Sequence, residues 1–119
     1  MDKVISCCQI NLQKSKAAAT ELNNRAESIV LITEPSTYKE CVRNLNRPQT
    51  QVLAHEGQLP PRAAIRVDQR LHPWLVPEYT VGDMCVVAIK IESILVYVCS
   101  LYLDINFVFQ SQGTTIYND

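Results

Sequence analysis

Glycine is scarce: the 119 residues hold three, Gly57, Gly82 and Gly113, each standing alone. Phosphate-cradling loops need clustered glycines so that backbone N–H groups can approach the phosphate, and a P-loop or dinucleotide-binding turn is thereby excluded. Histidine is rarer still, with two residues. His55-Glu56 has no second histidine at the spacing of a zinc protease, and His72 before Pro73 reads as a loop residue. The five cysteines form no C-x-x-C pair, and Cys7 and Cys8, being adjacent, point to opposite faces of a strand. Those two read as packed thiols, and Cys41, Cys85 and Cys99 are widely dispersed, which favours a reducing, intracellular setting. Most of the five fall within apolar strands, where thiols tend to be inert, which disfavours a thiol nucleophile. Charge of one sign is missing too: the formal net charge is −1, which excludes a basic coat but not a local basic face. The longest mainly apolar run, Ile94 to Leu103, is ten residues, against about 20 for a helix that spans a bilayer. Met1-Asp2-Lys3 followed by a mixed strand reads as a start without a cleavable leader, and no repeat or low-complexity segment is seen.

What is present is organised around Ser28-Ile29-Val30-Leu31-Ile32-Thr33-Glu34-Pro35. A short, β-branched apolar run bounded by a turn signal reads as a strand buried on both faces. Pro35 cannot donate to a sheet ladder, so the strand should stop by Glu34 and leave a carboxylate at its C-terminal lip. In open α/β sheets that lip is where ligands bind.

Upstream, Val4 to Asn11 reads as a first strand and Ser15 as a helix N-cap. Good helix formers follow from Ala17 to Glu27, with Ala18, Leu22, Ala26 and Ile29 as a narrow apolar stripe. Strand, helix, strand with short links predicts a βαβ unit, whose parallel strands bring Asn11 and Glu34 to one sheet edge. Tyr38 to Arg47 reads as a short helix ending in a loop. Gln51–Glu56 and Ala63–Asp68 read as strands around the Gly57 and Pro60-Pro61 turn, and Met84–Ile91 and Ile94–Leu103 as a hairpin around Glu92-Ser93. From Gln110 the chain turns polar. One domain part, 1–109, with a tail, 110–119, is the expected organisation.

Asn11, Glu34 and Tyr102 thus each end an apolar strand. A carboxylate there suits Mg²⁺, which keeps several waters and needs only one or two protein carboxylates beside substrate phosphate oxygens. Around these residues the sequence resembles a known family. Gln9 to Ala18, Leu31-Ile32-Thr33-Glu34-Pro35, Arg62-Ala63-Ala64-Ile65 and Tyr97 to Asp104 are similar, in that order, to the endonuclease domain of non-LTR retrotransposons. That family lies in the exonuclease–endonuclease–phosphatase superfamily. The resemblance implies an α/β fold: a partial four-layer sandwich of the deoxyribonuclease I kind, with a mixed sheet and a flanking helix. It implies that Glu34 binds Mg²⁺ or Mn²⁺, that Asn11 places the metal or the scissile phosphate, and that Tyr102 contacts phosphate. It implies DNA as partner, a reverse transcriptase domain in the parent polyprotein, and a nuclear, membrane-free location.

The departures shape the functional expectation. In the family, an Asp-x-Asn motif and a final Ser-Asp-His motif follow the tyrosine strand, and both are read as missing here, Asn118-Asp119 having the reverse order. Ser36 stands where relatives often carry an aromatic residue. The sequence therefore reads as the N-terminal half of a Mg²⁺-dependent DNA-nicking enzyme, inactive alone. Two readings stay open: a phosphodiesterase completed by another copy or chain, or a non-catalytic remnant acting as a binding module. Half a sandwich is also expected to expose an apolar sheet face, with Val86, Ala88, Val96, Val98 and Leu101 short of partners and self-association as the result.

Overall fold

The structure, a computed structural model, describes residues 5–38, 41, 42, 45, 47–57 and 59–103. The expected tail, 110–119, lies outside them. β1 (Cys7–Asn11) leads into α1 (Lys16–Leu22), whose N-cap is Ser15: its hydroxyl accepts the Ala18 N–H at 3.1 Å. β2 (Ile29–Thr33) then pairs parallel with β1, Asn11 opposite Thr33, so the βαβ unit is as expected.

The helix is shorter than its composition suggests. Arg25, Ala26 and Glu27 lie beyond its end, Ala26 is exposed, and the buried helical residues are Ala19 and Leu22. Carbonyls at and beyond its end accept side chains, Leu22 O in addition to the Arg25 N–H at 2.9 Å. Arg66 donates to Leu22 O at 3.1 Å and to Arg25 O at 2.8 Å, and Arg47 donates to Asn23 O at 2.8 Å. Three such bonds outweigh the slight propensity gain of another helical turn.

The segment expected to be a short helix after Tyr38 is corrected. β3 (Thr37–Tyr38) and β4 (Cys41–Val42) form a small antiparallel ladder. β-Branched Thr37 and Val42 at its paired ends suit that choice. β5 (Thr50–Ala54) and β6 (Ala63–Asp68) are the expected antiparallel pair, and β6 also pairs antiparallel with β2. The first sheet is mixed, in the order β1-β2-β6-β5. β7 (Trp74–Leu75), β8 (Met84–Ile91) and β9 (Ile94–Leu101) form a second, antiparallel sheet in that order. The hairpin between β8 and β9 turns through Glu92 and Ser93, with Glu92 left-handed.

The sheets pack face to face. Ile29, Leu53, Ala63, Ile65 and Val67 of the first meet Cys85, Val87 and Ile89 of the second. On the far face of the first sheet, Val30, Ile32 and Ala64 meet Leu12, Ala19, Leu22 and Leu45. β2 and β6 are buried on both faces for this reason, and each fully buried aliphatic side chain contributes about 1.5–3 kcal/mol. Helix, sheet and sheet are layered as the predicted α/β sandwich requires.

The expected list of uncovered residues needs correction. Val86 and Ala88 are buried beneath Val76, and Val96 and Val98 are half-buried against the core; of the five, Leu101 alone is exposed. The exposed large apolar side chains of β9 are Ile94, Leu95, Tyr97 and Leu101, and Cys99 is exposed beside them. They lie on a strand that is paired on one side only among the described residues. No helix among these residues is long and apolar enough to cross a membrane.

Candidate functional site

One edge of the molecule gathers the strand ends. The register sets Asn11 beside Thr33 and Thr33 beside Ala63, so Asn11, Glu34 and Arg62 end or begin adjacent strands at the same edge. In the second sheet Met84 pairs with Leu101, and one step further the Tyr102 N–H donates to Asp83 O at 2.8 Å. Bonds to main-chain oxygens tie the sheets together here. The buried Ser100 hydroxyl donates to Ile32 O at 2.8 Å, and the Arg62 N–H donates to Gly82 O at 2.7 Å.

Glu34 is held through its backbone. Its N–H donates to Arg62 O at 2.9 Å, and its carbonyl accepts the Lys14 N–H at 2.8 Å. Its φ is 51°, in the left-handed region, and Gln13 and Lys14 are left-handed as well, at 50° and 59°. A non-glycine residue in that region costs about 1–3 kcal/mol and persists only where its surroundings over-determine it. The two backbone bonds to Glu34 and the burial of Pro35 and Ser36 immediately after it do so. The half-buried side chain is thereby presented from a fixed turn.

Asn11 forms an Asx turn, its Oδ1 accepting the Gln13 N–H at 2.8 Å. It lines a hollow of 370 Å³ with Gln9, Thr33 and Tyr102. Asn11 and Tyr102 therefore share one cavity. Glu34 follows Thr33, which lines it, but is not itself among the lining residues.

Two further residues at this edge escaped sequence reasoning. The Arg62 guanidinium lies over the Tyr102 ring, 4.7 Å from its centroid, and forks onto the Asp83 carboxylate with two 2.8 Å bonds. A signal was available for each: Arg62 follows Pro60-Pro61 at the start of an antiparallel strand, and Asp83 sits in the Gly82-Asp83 turn before β8. Both starts fall at the edge where the parallel strands end. The Asp-x-Asn motif read as missing is in fact present in the sequence. Asp104-Ile105-Asn106 does have the Asp-x-Asn order, two residues after Tyr102, although it lies outside the described residues. Ser-Asp-His is indeed lacking from the 119 residues.

Neither histidine lines the Asn11–Tyr102 hollow. His55 faces Leu75, Pro77 and Thr80, and His72 faces a 750 Å³ hollow at the opposite end with Asp68, Arg70 and Lys90. Among the described residues no three of His, Cys, Asp and Glu come together as a metal cage would require. At this edge Glu34 supplies a carboxylate and Asn11 an amide oxygen already accepting one hydrogen bond, while the Asp83 carboxylate is engaged by Arg62. Donors of these types suit a hard cation held mostly by water and phosphate oxygens.

No protein-family model and no curated protein matches the sequence. A solved structure does. The chain is similar to the endonuclease domain of TRAS1, a telomere-specific non-LTR retrotransposon, at 25% identity and a TM-score of 0.61. The match covers 88% of this chain and 52% of that one, so the chain spans about half the length of the structure it matches. The resemblance to the endonuclease domains of non-LTR retrotransposons, and the α/β fold it implied, are thus borne out.

Proposed function

We propose that this chain carries the Asn–Glu–Tyr part of a Mg²⁺- or Mn²⁺-dependent, DNA-nicking phosphodiesterase site. The observation that carries the reading is the shared hollow of Asn11 and Tyr102 beside the backbone-clamped Glu34 turn. With Asn11 Oδ1 engaged by Gln13, its NH₂ group has donors to offer a phosphate oxygen, and the Tyr102 hydroxyl offers another. Glu34, with Asn11 beside it, would hold the cation, which when bound polarises the phosphate. In its parent setting the partner would be nuclear DNA, with a reverse transcriptase priming from the nick.

Water activation and leaving-group protonation need an acid–base group, typically worth about 10²–10⁴-fold in rate. The hollow has no histidine on its lining. That observation favours, as a second reading, a module that binds phosphodiester backbone without cutting it.

A nicking assay on supercoiled plasmid decides between them. The chain alone, with Mg²⁺, is expected to stay near the EDTA control. A polypeptide supplying the Ser-Asp-His half should restore EDTA-sensitive nicking, and Glu34→Gln should abolish it by removing the ligand charge at constant shape. A reconstituted enzyme indifferent to Glu34→Gln would refute the assignment. DNA binding without nicking in the reconstituted pair would leave the second reading in its place.

A further inference from the structure

We propose that Arg62 is the positioning residue of this site: it fixes the Tyr102 ring beside the Glu34 turn by joining the two sheets, and does not itself bind the phosphate. The part of this that concerns phosphate rests on the function proposed above.

Five contacts converge on the one residue. Its carbonyl accepts the Glu34 N–H at 2.9 Å and its N–H donates to Gly82 O at 2.7 Å. Its Nε and one NH₂ group fork onto Asp83, and the guanidinium covers the Tyr102 ring at 4.7 Å. Asp83 in turn accepts the Tyr102 N–H on its carbonyl. Main chain and side chain therefore do different things. The main chain of Arg62 holds the glutamate turn of the first sheet, while its side chain holds the tyrosine of the second, by the ring face directly and through Asp83.

Magnitudes argue for orientation over stability. The Arg62 and Asp83 side chains are 42% and 44% exposed, and an ion pair so open to water stabilises a fold little. A planar fork on a fixed carboxylate nonetheless sets the guanidinium plane, and a cation within about 6 Å of a ring centroid favours one placement of that ring. Lysine would keep the charge over the ring but lose the fork. The side-on donor pair that would grip a phosphate is committed to Asp83.

Side-chain NMR and DNA titration on the 119-residue chain test this together. The wild type should show Arg62–Tyr102 ring NOEs and upfield-shifted Arg62 Hδ signals. Asp83→Asn should weaken both, Arg62→Lys should keep part of the effect, and Arg62→Ala should change the Tyr102 ring signals. In anisotropy titrations with a short DNA duplex, Arg62→Ala and Tyr102→Leu should each weaken binding about tenfold, and the double variant should be no weaker than either. The salt dependence of Arg62→Ala should match the wild type. A salt slope lowered by about 1, or losses that add, would make Arg62 a phosphate ligand and overturn the proposal. Should the wild type bind no DNA, the phosphodiesterase reading fails on its own. The Tyr102 signals still judge Arg62, and signals unmoved by Arg62→Ala and Asp83→Asn overturn its positioning role. If Arg62→Ala does not fold, Asp83→Asn and Arg62→Lys carry the same two readouts.

Discussion

Replacing Arg66 with methionine is expected to destabilise the protein by about 2–3 kcal/mol, because the arginine gives charged hydrogen bonds to two carbonyls at and beyond the helix end, Leu22 O (which also accepts the Arg25 N–H) and Arg25 O. Arg66 lies mid-strand on β6 with no exposed surface, between Val30 and Val52 on the neighbouring strands. Its two terminal nitrogens donate to Leu22 O and Arg25 O, while its Nε has no partner. Hydrogen bonds from a charged donor contribute about 1.5–3 kcal/mol each, so two of them give roughly 4. A cation at a helix C-terminus adds about 0.3–1 kcal/mol. Against this stands the desolvation of the guanidinium, visible in a pKa lowered chiefly by burial and then by Arg47. Methionine recovers that cost and most of the packing, which removes about 2 kcal/mol from the loss. The loss of the two charged bonds, with Arg25 O left behind, decides the sign.

Urea unfolding measures it: the midpoint should fall at constant m-value, and the melting temperature should drop by roughly 10 °C. Hydrogen exchange adds the location, with α1 amides losing protection before those of β6. Arg66→Lys should fall between, since it keeps the charge but cannot reach two carbonyls with one fork. A methionine variant as stable as the wild type, or more so, would refute the reasoning. It would show that desolvation outweighs the two bonds, as it does in some buried ion networks.

Cys85 gives a pH-dependent outcome. It is fully buried, its Sγ lies 3.3 Å from Leu53 O, and burial, then Cys99, pushes its thiol up to about 12 from 9.0. A folded pKa above the unfolded one means stability intact below pH 9 and lost as pH rises towards 12, by about 1.4 kcal/mol per unit, and Cys85→Ala should flatten that slope in urea midpoints. The β9 edge gives the other. Ile94 to Leu103 carries no charge, and edge strands lacking charge pair readily, so sedimentation should show self-association that Tyr97→Lys reverses; a sharp monomer for the wild type would contradict it.

The elements most legible in the sequence were those whose pattern depends on one segment alone. The β-branched run before Glu34-Pro35, the Ser15 cap and the two-residue turn at Glu92-Ser93 are local facts, and the structure keeps them. The end of α1 was not legible, because Arg66 and Arg47 decide it, 44 and 24 residues downstream of the carbonyls they take. The same holds for Val86 and Ala88, whose cover comes from Val76 rather than from their own strand. The site divides along this line. Asn11, Glu34 and Tyr102 end strands, and a strand end is visible as a change of composition. Arg62 and Asp83 begin strands, and their place becomes visible only once β6 is known to run antiparallel to β2 and Asp83 to sit across from Tyr102. An edge built from the ends of some strands and the starts of others is therefore half hidden in any single sequence. The hidden half here is the pair that braces the tyrosine, whose chemistry needs no motif because it works through a ring face, a fork and backbone bonds to its neighbours.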